Sequence, residues 1–340
     1  MLIEFRVENH RSVRDEQVIS LEAGRVGDSE DPRPRDVATR GTRLLPAAAL
    51  YGANASGKSN LLAALGFMRE AVLRSHRSWP PDGGVPRDPF AWGAKATEPS
   101  LFEVMVLLGE VRFRYGFVTD GTCFVEEWLH AWPRGRKQVW FERERKGSED
   151  VFRFGDSLQG ENRLVQQVTR RNALFFSAAV QHQHPQFAAL YRWFVTMRLV
   201  NVGAQSRRVD EFHSLRWLQR ILEVAPGATT QLGLFADETA PNAAFEAFRD
   251  LLTAADVGIV DLRLEGDGEE PVPPRPSGWG RSHVLVQHRS ASNEAWLPLE
   301  EESAGTLALF RLGPMILEAL ARGSLLVVWT PSSRGSRLCL

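Results

Sequence analysis

The sequence predicts an α/β fold, and three patterns along the chain predict it. Residues 2–7 and 17–21 alternate apolar and charged side chains, which is the period of two half-buried strands. The apolar run 44–50 is typical of a buried strand, and a glycine-rich turn and helically spaced apolar residues over 58–74 follow it. Residues 101–145 contain strand patterns separated by turn residues, so an antiparallel sheet is expected in the same fold.

The individual elements follow from the same periods. Asp120-Gly121 marks a hairpin turn within the antiparallel part, where strands are expected at 101–108, 111–118, 123–132 and 138–144. From about residue 162 the pattern becomes mostly helical, with helices predicted at 163–171, 186–194, 215–224, 243–254 and 305–321. Strands are predicted again at 257–264, 283–288 and 325–328. Glycine, proline and charged residues mark loops at 23–41, 78–99 and 266–280, and the last of these is expected to be disordered.

Composition and charge exclude several classes of protein. The 340 residues are 43% hydrophobic and 24% charged, which is close to the globular average and unlike disordered or collagen-like chains. The longest apolar runs, 44–51 and 325–329, are far shorter than the roughly 20 residues of a membrane span. A net charge of −1 gives no chain-wide attraction for nucleic acid, and two cysteines suit a reducing cytosol. We therefore expect a cytoplasmic globular protein that spans no membrane.

A phosphate-binding loop is the clearest chemical signal in the sequence. Eight residues fit the pattern G-x-x-x-x-G-K-[S/T]: Gly52, Ala53, Asn54, Ala55, Ser56, Gly57, Lys58 and Ser59. Glycines let such a loop bend so that backbone N–H groups point at phosphate oxygens, and the following helix directs its positive end at the same anion. Lys58 is expected to reach the β- and γ-phosphates, and the Ser59 hydroxyl is expected to bind Mg²⁺.

The loop and the N-terminal segment together resemble one family. Residues 5–12, Phe-Arg-Val-Glu-Asn-His-Arg-Ser, and residues 51–60, which end at Asn60, resemble the ABC-type, SMC-like ATPases of bacteria. These are usually described as AAA-family or OLD-like ATP-binding proteins, and many lie in phage-defence or abortive-infection loci. Similar segments at 126–129, 172–176 and 301–306 extend the resemblance from residue 1 to about residue 328. The resemblance implies ATP and Mg²⁺ as cofactors and adds Asn60 to the nucleotide-binding residues.

The resemblance also implies an architecture for the whole chain. It is an ABC/SMC-like P-loop NTPase head with an antiparallel β subdomain and a helical insertion. We divide the chain into five segments accordingly: N-terminal strands and P-loop core at 1–75, linker and antiparallel β subdomain at 76–155, helical insertion at 156–256, return strands, signature helix and Walker B strand at 257–328, and a tail at 329–340.

A second candidate site precedes the helix at 305–321. Ser303 is well placed to cap that helix, and Gly305 keeps the backbone close to whatever docks on the helix end. In ABC-type ATPases a signature motif at this position meets the γ-phosphate of ATP bound to the other protomer. The resemblance therefore implies that Ser303 and Gly305 contact the nucleotide in trans, within a homodimer that sandwiches two nucleotides. Without the resemblance, an ordinary helix cap would explain the same residues.

The chain departs from the family after the strand at 325–328. The family has an Asp and a Glu there, for the Mg²⁺ shell and for activating water, whereas this chain continues with Trp329 and Thr330 and has no acidic residue after Glu318. We interpret 329–340 as a non-native tail from a frameshift or truncation; the alternative is a module whose missing half comes from a partner. We assign no catalytic residue and expect weak ATP binding with negligible turnover. A Q-loop glutamine is also missing, because no Gln occurs after the first helix before position 138.

Several weaker signals are interpreted as structural. The segment His182-Gln183-His184 could hold a metal, but a solvated loop is the better interpretation because no Cys, Asp or Glu lies within ten residues. The ten tryptophans are assigned to packing, and the basic clusters at 134–137 and 207–208 to solvated surface, rather than to nucleic-acid binding. Glu126-Glu127 have no catalytic partner, so a structural or hinge role is expected for them.

The sequence leads to one main hypothesis and two alternatives. We expect an ATP-binding protein of this ATPase family, whose nucleotide-dependent homodimer regulates an effector protein from the same operon in phage defence. The first alternative is a non-hydrolysing sensor or scaffold that binds ATP and a protein partner without turnover. The second is a DNA-associated, repair-type ATPase, which would need a basic channel that the sequence does not display.

Overall fold

The structure is a computed structural model, and it describes residues 1–24, 33–37, 42–201, 241–255, 258–265, 283–289 and 296–329. The chain divides into two compact units, one made of Met1–Asn201 and Ser324–Leu340 and the other of Val202–Gly323. Five sequence predictions lie wholly or mostly outside the described residues, namely the loop at 23–41, the helix at 215–224, the basic pair at 207–208, the loop at 266–280 and the tail at 329–340.

A seven-stranded antiparallel sheet is the largest element of the first unit. Its strands are β1 (Leu2–Glu8), β2 (Gln17–Ser20), β5 (Ser100–Leu108), β6 (Val111–Thr119), β7 (Phe124–Trp132), β8 (Gln138–Lys146) and β9 (Glu149–Phe154). They lie in the order β2-β1-β5-β6-β7-β8-β9. The predicted hairpins are confirmed, and β9 is an additional strand that the sequence patterns missed. Two further strands, β3 (Arg35–Val37) and β4 (Thr42–Leu44), form a separate antiparallel pair.

One face of this sheet carries an aromatic core. Phe102, Phe117 and Phe124 are fully buried, because alternate residues of their strands point to the covered face. The helix α1 (Lys58–Arg74) adds Phe67, whose ring centroid lies 4.8 Å from that of Phe102. Helix α1 therefore packs directly on the sheet. Because the first turn of α1 is the end of the phosphate loop, this packing also positions the loop.

The described part of the first unit has three further α-helices: α2 (Asn162–Val168), α3 (Phe175–Gln181) and α4 (Ala188–Thr196). The predicted helices at 163–171 and 186–194 correspond to α2 and α4. The sequence patterns missed α3 because its residues 175–179 are all buried, so that no polar face marks its period. Arg69 of α1 donates from Nε to the backbone oxygen of Phe194 at 2.9 Å, which ties α1 to the end of α4.

The predicted strand at 325–328 exists and has a parallel partner. It is β14 (Leu326–Trp329), and it pairs with β10 (Arg198–Asn201), a strand that the sequence patterns did not indicate. Val327 is fully buried in the core of the first unit. Parallel strands buried in this way are typical of α/β folds.

The prediction of a buried strand at 44–50 is wrong. Strand β4 ends at Leu44, and the residues between it and the phosphate loop have no strand partner among the described residues. Leu45, Ala48 and Leu50 still pack against the core. Of this run only Leu44 is buried, and Pro46, Ala47 and Ala49 are exposed, so the predicted burial is wrong as well. Pro46 also has no N–H to give to a ladder.

The second unit has its own core. Its described elements are α5 (Pro241–Ala254), the antiparallel strands β11 (Ile259–Glu265), β12 (His283–His288) and β13 (Trp296–Pro298), and α6 (Ala304–Arg322). The rings of Phe248 and Phe310 lie 5.5 Å apart where α5 packs on α6. A Cβ at Gly313 would lie 2.4 Å from the Phe248 ring, so this position needs glycine.

Helix α6 is also the one helix of the described residues that is long and apolar enough to cross a membrane. That property rests on length and composition alone, and core helices of soluble proteins share it. The apolar residues of α6 include Phe310 and Met315, which are buried within the protein. The helix is therefore weak evidence for a membrane span.

Candidate functional site

The phosphate loop has the backbone that its sequence predicts. Ala55 and Gly57 both have positive φ angles, 64° and 92°, which bend the chain back before Lys58 begins α1. Glycine adopts this conformation freely, whereas at Ala55 it costs about 1–2 kcal/mol. Gly57 occupies the N-cap of α1, and no side chain caps the first turn. The free N–H groups of that turn are the usual binding site for an anion.

Lys58 places a positive charge directly over this loop. Its Nζ donates to the backbone oxygens of Gly52 at 2.9 Å and Ala53 at 2.7 Å, and to Ser56 Oγ at 3.3 Å. The loop is exposed, so a ligand can reach these groups from solvent. Backbone donors, an ammonium group and the neighbouring Ser59 hydroxyl together fit a nucleotide phosphate with its Mg²⁺.

The N-terminal turn lies against the phosphate loop. Asn60 Nδ2 donates to Ser12 Oγ at 2.7 Å, and a Cβ at Gly57 would lie 3.3 Å from the same oxygen. A side chain at position 57 would therefore be both strained and crowded. The two segments that carried the family resemblance, 5–12 and 51–60, meet in space although the contacting residues Ser12 and Asn60 lie 48 positions apart. Sequence spacing alone did not predict this contact.

A buried asparagine fixes that turn to a distant loop. Asn9 is fully buried with a φ of 56°, and its side-chain amide donates to the backbone oxygens of Lys95 and Glu98 at 2.7 and 2.8 Å. Its Oδ1 accepts from the backbone N–H of Phe90 at 2.8 Å. Arg11 adds an ion pair to Asp88 at 3.1 Å. The N-terminal turn is thus held in place beside the phosphate loop by its contacts with residues 88–98.

His10, in the same turn, is buried without a hydrogen-bond partner for either ring nitrogen among the described residues. Its ring stacks on Phe67 and meets Phe102 edge-on, at centroid distances of 6.0 and 5.5 Å. Burial, assisted by the positive charge of Arg11, lowers the pKa of His10 from 6.5 to about 4. His10 is therefore neutral in the folded protein at pH 7.

We expect His10→Phe to stabilise the protein and to flatten its pH dependence. In the unfolded chain His10 takes up a proton below pH 6.5, whereas in the folded protein it does so only near pH 4, so acid favours unfolding. The difference removes up to about 3 kcal/mol between these pH values. Phenylalanine keeps the ring contacts and removes two unpartnered nitrogens, for a gain of about 1 kcal/mol at pH 7. Urea unfolding at pH 7 and pH 4.5 measures both effects, and an unchanged pH slope would contradict the assignment.

A buried carboxylate joins the two middle segments of the resemblance. Glu127 is fully buried on β7, and its carboxylate accepts from the backbone N–H groups of Phe175 at 2.7 Å and Phe176 at 2.9 Å, the first residues of α3. Tyr115 Oη donates to it at 3.1 Å, and Arg143 lies 3.7 Å away. Burial raises the pKa of Glu127, and the positive charge of Arg143 opposes that rise.

Arg143 continues this network on its other side. Its guanidinium donates to the backbone oxygen of Ala173 at 2.7 Å and to Asp150 Oδ2 at 2.7 Å. The predicted structural role of the Glu126-Glu127 pair is therefore confirmed for Glu127, whereas Glu126 is exposed on the opposite face. The network anchors α3 to the sheet and has no contact with the phosphate loop among the interactions described.

Ser303 occupies the N-cap position that the sequence predicts for it. Its Oγ accepts from the backbone N–H of Thr306 at 3.1 Å, and Ser303, Ala304 and Gly305 are all exposed. These residues belong to the second unit, whereas the phosphate loop belongs to the first. The predicted site residues thus fall into two groups, the residues 52–60 and the pair Ser303 and Gly305.

The remaining candidates have structural explanations. His182 is exposed, but the prediction of a solvated loop is wrong for His184, which is buried and stacks on Phe187 at 4.1 Å. No group of three or more metal-binding side chains occurs among the described residues. Trp79, Trp140 and Trp193 are buried, as packing residues should be, whereas Trp92 is 71% exposed, so the packing assignment is wrong for Trp92.

Comparison with known proteins identifies the family. No curated protein matches the chain. Residues 47–328 match the family model described as "AAA domain, putative AbiEii toxin, Type IV TA system". That range includes the phosphate loop and most of both units, and AAA ATPases generally use ATP and Mg²⁺. The chain belongs to this family of AAA-type P-loop ATPases, which is associated with abortive infection.

Proposed function

We propose that this protein binds ATP with Mg²⁺ at its phosphate loop and acts as a nucleotide-dependent switch with an ABC/SMC-like head. The observation that carries the proposal is the loop itself, with its uncapped helix start, its two positive φ angles and Lys58 over the bend. The loop N–H groups and Lys58 hold the phosphates, and Ser59 holds the metal. Bound Mg²⁺ neutralises charge on the β- and γ-phosphate oxygens.

The proposed switch is a homodimer in which Ser303 and Gly305 contact the nucleotide held by the partner. Ser303 supports this because it is exposed at the start of a long helix. Gly305 supports it because a Cβ there would meet only Ser303 Oγ, at an ordinary contact distance of 3.6 Å. Internal packing does not demand glycine at this position, although glycine in a helix costs about 1 kcal/mol relative to alanine. A close approach from outside the helix would explain it.

Slow hydrolysis is the second part of the proposal. Strand β14 ends at Trp329, whereas the ABC-type ATPases that the chain resembles have carboxylates at this point, which complete the metal shell and activate water. Loss of a positioned catalytic base costs about 10²–10⁴ in rate. This observation equally favours a second candidate function, a sensor or scaffold that binds ATP without hydrolysing it.

The family's association with abortive infection supports the biological role that we propose. An abortive-infection association suggests that the ATP-bound dimer regulates an effector protein, and phage defence is the setting we propose. The effector would then respond to whether the protein has ATP bound. The five-segment division of the chain remains a prediction within this proposal.

Nucleotide binding, molar mass and phosphate release, measured in parallel, test the proposal. ATP and a non-hydrolysable analogue should both bind and both double the molar mass, with phosphate release far below about 1 s⁻¹. Ser303→Arg should abolish the dimer and leave nucleotide binding by the monomer intact. Ala321→Arg, on the exposed far end of the same helix, is the matched control. A chain that stays monomeric with ATP would refute the switch, and turnover near 1 s⁻¹ would refute impaired hydrolysis.

A further inference from the structure

Two aromatic side chains are exposed, one directly before the phosphate loop and one on the segment that holds the neighbouring N-terminal turn. Among the large hydrophobic side chains that the structure describes as exposed, Tyr51 at 66% and Trp92 at 71% are the aromatic ones. Tyr51 directly precedes Gly52. Trp92 belongs to the segment 88–98 that Asn9 holds against the N-terminal turn. The other exposed large hydrophobic residues of the chain's described part are aliphatic.

The segment that carries Trp92 is held rigidly. Arg87 donates to the backbone oxygen of Glu98 at 2.6 Å and to Ser100 Oγ at 2.9 Å, which closes the segment at its base. Lys95 forms ion pairs with Glu8 and Glu98. The Phe90 ring meets the Trp92 indole edge-on, with centroids 5.2 Å apart and planes at 70°. The backbone that carries the exposed indole is therefore held in place, so that a ligand would have to order only the side chain.

The same turn connects Trp92 to the nucleotide-binding loop. Asn9 holds the amide of Phe90, and three residues later Ser12 accepts from Asn60 on the first turn of α1. The Lys58 side chain reaches back to the start of the loop, where its ammonium contacts the backbone oxygens of Gly52 and Ala53. This ammonium is the group that reaches the terminal phosphates in such loops. With the terminal phosphates at Gly52 and Ala53, the nucleoside would extend from the opposite end of the loop, where Asn60 contacts Ser12 of the N-terminal turn.

We propose that Trp92, supported by Phe90, stacks on the base of the nucleotide whose phosphates the loop holds. This inference rests on the proposed binding of ATP at the phosphate loop. Stacking uses the π-face that every base offers, so Trp92 contributes affinity for nucleotides in general and prefers the larger purines. It adds a base-binding residue to a site for which the sequence predicted only phosphate and metal contacts.

Calorimetric titration with two probes tests the proposal. MgATP carries a base, whereas inorganic tripolyphosphate with Mg²⁺ presents only the phosphates. Trp92→Ala should weaken MgATP binding about tenfold and leave tripolyphosphate binding unchanged. Trp92→Phe should restore most of the affinity for ATP. Leu164→Ala, at an exposed aliphatic residue on α2, is the surface control and should bind both probes as the unmodified protein does.

Fluorescence gives a second, independent signal. Stacking on a base should quench Trp92, so ATP should lower the emission of the unmodified protein more than that of Trp92→Phe, although both bind it. Equal ATP affinity in Trp92→Ala and the unmodified protein would overturn the stacking assignment and leave the phosphate site standing. Parallel loss of ATP and tripolyphosphate binding would also overturn it, because Trp92 would then support the loop. Failure of the unmodified protein to bind either probe would refute the proposed function and this inference with it.

Discussion

Replacing Lys58 by alanine is expected to weaken ATP binding by about 10- to 100-fold. A hydrogen bond to a charged group contributes about 1.5–3 kcal/mol, and the Lys58 ammonium is the charge placed over the loop. The contacts of Lys58 are confined to its own exposed loop, so its removal leaves no buried group without a partner. We therefore expect the melting temperature without nucleotide to stay within about 2 °C, while stabilisation by added ATP disappears.

Lys146→Ala is the matched control for this experiment. Lys146 is exposed at the end of β8 and pairs with the exposed Glu144 at 3.4 Å. The substitution removes one lysine from the same unit, so it corrects for the change in net charge. If Lys58→Ala and Lys146→Ala bind ATP equally well, the phosphate loop is not the nucleotide site.

The phosphate loop and α1 could be predicted from sequence because their determinants are local. Gly57 and Lys58 lie next to each other in the chain, and the apolar spacing after them matches the bounds of α1, Lys58–Arg74. The antiparallel strands were equally local, since alternation and Asp120-Gly121 mark them. Strand partners are not local. The strand predicted from the apolar run at 44–50 was therefore wrong, and no sequence pattern indicated that β10 pairs in parallel with β14.

The contacts that hold the N-terminal turn against the phosphate loop could not be predicted for the same reason. Ser12 and Asn60 lie 48 residues apart, and Asn9 reaches residues more than 80 positions away. No periodicity encodes such contacts. Glu127 is different, because strand alternation places it on the same face as Leu129 and Ala131, both fully buried. A carboxylate on an apolar face indicates a buried network, and that signal was available in the sequence.

Glu127→Ala is expected to destabilise the first unit by about 3–5 kcal/mol. The substitution leaves the N–H groups of Phe175 and Phe176 and the hydroxyl of Tyr115 without their acceptor in a buried site. It also leaves Arg143 with one carboxylate fewer inside the core, and removing one member of a buried ion pair is costly. Urea unfolding followed by circular dichroism measures the loss.

Glu126→Ala provides a control at the adjacent position. Glu126 is exposed on the other face of β7, so its loss should change the unfolding free energy by less than about 0.5 kcal/mol. Glu127→Gln should lie between the two, because an amide oxygen can still accept from the α3 backbone while its NH₂ group faces Arg143. If Glu127→Ala does not fold, the Gln variant still separates the two positions. Equal stability of Glu127→Gln and Glu126→Ala would mean that the Glu127 charge does not contribute to holding α3 on the sheet.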